Sequence, residues 1–170
     1  VNILGVDLGT TTGWASTTQA DGVRAGKWKL ATAAEITAQH RTGGDRNRDI
    51  RIPRLFDFLA DKIRKEGIGL LVFEDVLFVR NAMQGQLWAS LRSCIWLQTG
   101  PGGVYEVKLV GVPVQTLKKF ATGRGDASKE KMMAAAEKKF PVLVKNLGKT
   151  FDDNVADALH LMHYGYSITI

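Results

Sequence analysis

Four carboxylates stand where chemistry could be done: Asp7, Glu74, Asp153 and Asp157. Asp7 interrupts the apolar opening Ile3-Leu4-Gly5-Val6, which reads as a strand buried on both faces. Leu70-Leu71-Val72-Phe73 is a second such run, and it ends in Glu74. Asp153 and Asp157 lie four apart in a segment with helical periodicity, so they share a helix face. An ionised group at the end of a buried strand is costly unless it is paired or holds a cation. Three or four carboxylates meeting at one place would offer only oxygen ligands, which select Mg²⁺ or Mn²⁺. Two such ions about 4 Å apart are a standard device for in-line phosphodiester hydrolysis.

Each acid also has a plainer reading. Asp7 could hydrogen-bond the turn that follows it, Gly9-Thr10-Thr11-Thr12-Gly13, and this alternative stays open. The glycines there suit a tight turn or close approach of a ligand to the backbone. Asp152 and Asp153 suit the start of a helix, where its dipole favours negative charge. Asp157 is a full turn further in and sits between Ala156 and Ala158, small neighbours that let this face approach something closely. No serine or cysteine nucleophile arrangement competes with the acids. His40, His160 and His163 show no zinc spacing. His160 shares a helix side with Asp157, which leaves a supporting role open, although a solvated histidine is the simpler expectation.

The chain has 170 residues and a formal net charge of +6, which suits one domain with an anionic partner, nucleic acid first. Nine Lys or Arg residues and three acids fall between Lys118 and Lys149. A smaller basic group runs Arg41, Arg46, Arg48, Arg51 and Arg54. Cys94 is the single cysteine, a small core residue by its neighbours, so no intrachain disulfide forms. That, with no membrane-spanning run and no signal-peptide pattern, leads us to expect a cytoplasmic protein.

The elements that must position the acids follow from periodicity. Residues 2–7, 12–18 and 23–30 read as strands in an antiparallel meander. Residues 31–47 read as a loop or short helix, and 48–66 as a helix stopped by Gly67 and Gly69. After the strand ending in Glu74, residues 75–83 form a loop. Residues 84–98 read as a helix that is apolar nearly all round, which predicts a homodimer interface or a fully buried central helix. Residues 104–110 alternate like a strand, and 113–125 read as a basic loop or short helix. Ala127–Phe140 reads as a helix capped by Asp126 or Ser128, broken by Pro141, with 142–151 as a linking segment. The last helix runs from Asp152 or Asp153 to about Tyr164, with Val155, Ala158, Leu159 and Met162 as its core stripe. The sum is an α/β domain with a mixed sheet.

At four places in order the chain resembles the RuvC Holliday junction resolvases, especially the phage-type members, within the ribonuclease H-like superfamily. Leu4-Gly5-Val6-Asp7-Leu8-Gly9 with Gly13-Trp14 resembles the first-strand motif, and Val72-Phe73-Glu74 the second acidic strand. The segment from Leu117-Lys118-Lys119 through Gly123-Arg124-Gly125-Asp126-Ala127-Ser128-Lys129 is similar to the basic segment, and Asp153–Leu159 to the C-terminal acidic helix. The resemblance implies a single RuvC-like nuclease domain over residues 1–170, with a mixed central sheet flanked by helices. It implies a homodimer that makes paired symmetric nicks in four-way DNA, in recombination or phage DNA processing, in a bacterial or phage-infected cell. Asp7, Glu74 and Asp157 fall on the metal-binding acids, and two Mg²⁺ ions are expected, with Mn²⁺ able to substitute. Lys118, as a catalytic cation, and Lys129 fall on basic positions near the site. Lys119 and Arg124 are expected on DNA, as are Phe78, Arg80 and Asn81 in the loop after the second acid, where Phe78 could stack on an unpaired base. One departure stands out. Three residues before Asp157 the family has an acid or histidine, and this chain has Asn154, so Asp153 is the expected fourth ligand and the Asn154 amide oxygen the alternative.

Two rivals share some of these features. Val6-Asp7-Leu8-Gly9-Thr10-Thr11 resembles the first phosphate loop of actin-like and sugar-kinase ATPases, but no second phosphate loop or adenosine pocket is evident, so no nucleotide cofactor is expected. A non-catalytic module that binds branched DNA is the other, and the presence of Asp7, Glu74 and Asp157 argues against it.

Overall fold

The computed structural model describes residues 1–41, 48–76 and 81–169. Its centre is a five-stranded sheet of β1 (Asn2–Asp7), β2 (Thr11–Thr18), β3 (Gly22–Lys29), β4 (Ile68–Asp75) and β5 (Lys108–Pro113), in the order β3-β2-β1-β4-β5. β1, β2 and β3 pair antiparallel, and β1–β4 and β4–β5 pair parallel. This is the mixed sheet that the sequence predicts. The parallel crossover is made by α1 (Ala33–His40) and α2 (Arg51–Glu66), and α3 (Ala82–Gln98) carries the chain from β4 to β5. α4 (Val114–Thr122), α5 (Lys129–Lys139), α6 (Pro141–Leu147) and α7 (Asp153–Ser167) complete the chain.

Strand parity sorts the side chains into two cores. Ile3, Leu70, Val72 and Val112 pack with α4, α5, α6 and α7 on one face. Leu4, Val6, Leu71 and Phe73 pack with α2 and α3 on the other. Asp7 and Glu74 continue the first parity series, so both belong to the α7 face. Their strands are neighbours in register, with Gly5 opposite Val72 and Val6 opposite Phe73. Asp75, one residue on, falls to the α3 face, where its carboxylate lies 3.9 Å from Arg92.

α7 lies against the sheet almost backbone to backbone. A Cβ on Gly5 would stand 2.4 Å from the Ala158 carbonyl oxygen, and one on Gly13 would stand 2.0 Å from the Asn154 carbonyl oxygen. On the helix side, a Cβ on Gly165 would press within 2.7 Å of Val72. These three glycines let the helix sink onto β1, β2 and β4. Neither Gly9 nor Gly13 has a positive φ. The reading of Gly13 as room for a ligand is therefore corrected: the room is taken by α7.

Other readings change for local reasons. The strand expected at 104–110 begins only at Lys108, because the Val104 and Tyr105 amides donate to the Leu97 and Gln98 carbonyls at the end of α3. Pro141 does not merely break a helix. It opens α6, at a position where its missing N–H is no loss, so 142–151 is mostly helical rather than a link. α3 is not a fully buried helix. It buries Leu91, Cys94, Ile95 and Gln98, and leaves Trp96 and Leu97 exposed by 48% and 61%. α7 is the buried central helix, covering Val155, Ala156, Ala158, Leu159, Leu161 and Met162. Among the described residues, no helix is long and apolar enough to cross a membrane.

Candidate active site

β1, β4 and α7 set Asp7, Glu74 and Asp157 on one face of the sheet, near enough for their charges to act on one another, with Asp153 one helical turn before Asp157. The turn after β1 does not depend on Asp7. The buried Thr12 hydroxyl donates to the Gly9 carbonyl at 2.7 Å and accepts from the Gly9 amide. The plainer reading, in which Asp7 serves that turn, thus loses its partner to Thr12.

The acids act on one another. Burial pushes the Asp7 carboxyl well above the usual carboxylate range, and the charges of Glu74, Asp157 and Asp153 push it further. Asp157 is pushed up to about 7, by burial first and then by Glu74 and Asp153. Glu74 is raised by burial, against the pull of Lys118. One carboxylate oxygen of Asp157, Oδ1, is buried with no hydrogen-bond partner. Such an oxygen is costly to leave bare. A hard cation would satisfy it and relieve the repulsion in one step, so the donor set fits Mg²⁺ or Mn²⁺. Asp7, Glu74 and Asp157 are the residues that would hold it. Among the described residues, no three His, Cys, Asp or Glu side chains are already gathered around one point.

Two lysines border the acids. Lys118, on α4, is near enough to lower both Glu74 and Asp157. Lys129, the first residue of α5, donates to Asp153 Oδ2 and also counters Asp7 and Asp157. That hydrogen bond holds Asp153 below the usual carboxylate range, so the two helical acids are shifted in opposite directions. α7 itself is capped by Asp152, whose side chain accepts from the Val155 amide at 3.1 Å and meets Lys27 at 2.6 Å.

The remaining candidates are dispersed. Lys119 is exposed on α4. Arg124 is exposed too, and its guanidinium is engaged by Asp126 through two hydrogen bonds. Asn81 caps α3, accepting from the Met83 and Gln84 amides. Phe78 and Arg80 lie outside the described residues. Of the smaller basic group, Arg51 is paired with Asp49 and Arg54 with Glu35.

His160 corrects an expectation. It is 2% exposed and its Nε2 meets the Met132 carbonyl at 2.9 Å, so it ties α7 to α5 rather than standing in water or beside Asp157. Sequence spacing missed this because α7 is covered on more than one side. The Lys129–Asp153 pair was missed as well. The two lie 24 residues apart, and only the packing of α5 against α7 joins their N-termini.

No family model matches the sequence, and no curated protein matches it either. Solved structures do. Thermus thermophilus RuvC bound to a Holliday junction substrate is 17% identical, with a TM-score of 0.68, over 99% of this chain and 95% of that one. The yeast mitochondrial Holliday junction resolvase Ydc2 is 14% identical, with a TM-score of 0.57, over 98% and 80%. The fowlpox virus resolvase, in complex with Holliday junction DNA, is 9% identical, with a TM-score of 0.55, over 100% and 99%. The chain therefore has the ribonuclease H-like fold of the Holliday junction resolvases, and its resemblance to RuvC extends from four short motifs to nearly the whole structure.

Proposed function

We propose that this chain is a metal-dependent, structure-selective endonuclease that resolves four-way DNA junctions by paired symmetric nicks. The observation that carries the reading is the convergence of Asp7, Glu74 and Asp157 on one face, with raised carboxyls and a bare buried oxygen, beside Lys118. The shared fold of junction resolvases supports the substrate class.

When bound, a pair of Mg²⁺ or Mn²⁺ ions supplies activation of water and stabilisation of the leaving oxygen. The protein's part is to hold and orient. Asp7 and Glu74 stand on adjacent strands, and Asp157 faces them from α7, so the ligands come from three rigid elements. Lys118 offers positive charge where the attacked phosphodiester gains negative charge. Lys119 and Lys129 offer phosphate contacts, which makes binding strongly dependent on salt. Homodimerisation fits the exposed Trp96 and Leu97 of α3, an apolar strip that a second copy would cover.

The test is cleavage of a labelled four-way junction beside a matched linear duplex, with Mg²⁺, Mn²⁺ or chelator. Symmetric nicks in the junction alone, lost with chelator and reduced at least about a hundredfold by Asp7→Asn, are expected. Equal cutting of forks and flaps would widen the substrate. Junction binding with no cleavage under either metal would overturn the nuclease in favour of a binding module, and nucleotide binding instead would favour the ATPase.

A further inference from the structure

We propose that Lys129 is a resident counter-cation that keeps Asp153 out of the metal site until a DNA phosphate takes its ammonium away. The inference rests on the metal-nuclease reading of the site and deepens it. Lys129 and Asp153 are each the first residue of a helix, and they join α5 to α7 through a direct ion pair. A lysine in the first turn of a helix opposes the helix dipole, so α5 gains nothing from it there. Ser128 already caps that helix, accepting from the Lys131 amide. What Lys129 gains is the acid cluster: its charge acts on Asp153, Asp157 and Asp7 together.

The pair also has the accessibility of an exchangeable contact. The Lys129 side chain is 76% exposed, whereas Asp153 is 30% exposed and set on the same helix face as Asp157. An ion pair so open to water is held weakly, and a second anion can compete for the ammonium. A phosphodiester arriving at the site is such an anion. Once Lys129 turns to it, Asp153 is released beside Asp157 with its charge unmatched. The cluster then has a fourth carboxylate to offer a cation. Metal binding and DNA binding are thereby coupled through one side chain, and the chain alone holds the metal less well than its acid count implies.

The coupling can be read without any cleavage, from Mn²⁺ binding to the whole chain followed by electron paramagnetic resonance. Lys129→Met should tighten Mn²⁺ about tenfold, within the range of contacting pairs, whereas Lys129→Arg should bind as the native chain does. In an Asp153→Asn background the gain from Lys129→Met should fall below about twofold. An equal gain in both backgrounds would mean that Lys129 acts only as a nearby charge, and would overturn the inference. No gain in either background would overturn it too, while leaving the nuclease reading intact. Failure of the native chain and every variant to bind Mn²⁺ would overturn both.

Discussion

The two faces of the sheet are built in opposite ways. On the α7 face backbone meets backbone at Gly5 and Gly13, Gly165 of the helix lies bare against Val72 and Ile3, and like charges are collected there. On the α2–α3 face large rings fill the space. Trp14, Trp28 and Phe58 form a stack with centroids 6.0 Å and 5.2 Å apart, and the Lys62 ammonium sits 3.4 Å over the Trp14 ring. On α3 itself, the Arg92 guanidinium lies 4.4 Å from the ring centroids of both Trp88 and Trp96. The Lys62 and Arg92 cations on this side are each paired with a carboxylate and covered by aromatic faces. The contrast teaches where tolerance lies: rings can shift by rotamer, whereas a backbone seam cannot.

The largest effect should come from breaking the seam. Gly13→Ala puts a Cβ into the Asn154 carbonyl and should cost about 3 kcal/mol or more in denaturant unfolding. Phe58→Ala on the other face removes one partly exposed ring from the end of a stack and should cost only about 1 kcal/mol. Equal losses would show that the faces do not differ as described.

Next in size is the charge held on the seam. The Asp157 carboxyl, raised to about 7 in the fold from an ordinary 3.8, contributes most to stability when protonated. Without metal, that contribution is complete below about pH 4 and is lost as pH rises through 7. Asp157→Asn should therefore be more stable than the native chain at pH 8, by on the order of 2 kcal/mol, and no more stable near pH 4. Mg²⁺ at pH 8 should narrow the gap. Melting curves at both pH values check this, and a gap independent of pH would remove Asp157 from the repelling cluster.

The smallest effect should fall on the exposed side of α3. Changing Trp96 and Leu97 together to Ser should alter monomer stability by no more than about 0.5–1 kcal/mol, the Arg92 contact included. If the proposed homodimer forms through this strip, the change should also shift sedimentation toward the monomer. A dimer unaffected by both changes would move the interface elsewhere.

Much of this contrast was legible in the sequence. The apolar runs ending in Asp7 and Glu74 mark central strands, and period two carries both acids to one face. Ala156 and Ala158 announced close packing around Asp157. What stayed hidden depends on partners distant in the chain. Apolar content made α3 look buried and α7 look one-sided, because periodicity counts a helix's own faces and not how many neighbours cover them. His160 was hidden for that reason, and Gly13 because a glycine does not say whether a ligand or a helix fills its space. The Lys129–Asp153 pair depends on two helix starts meeting, which no local pattern encodes.

The seam also has a mechanical consequence. The gap between strand acids and helix acid is set by main-chain atoms in contact, not by the lengths of intervening side chains. Rewriting the hydrophobic residues around the site, within the volume they occupy, should leave that gap nearly unchanged. The acids ride on a weld rather than a bearing, so whatever adjustment a substrate demands must be made by the parts that surround it.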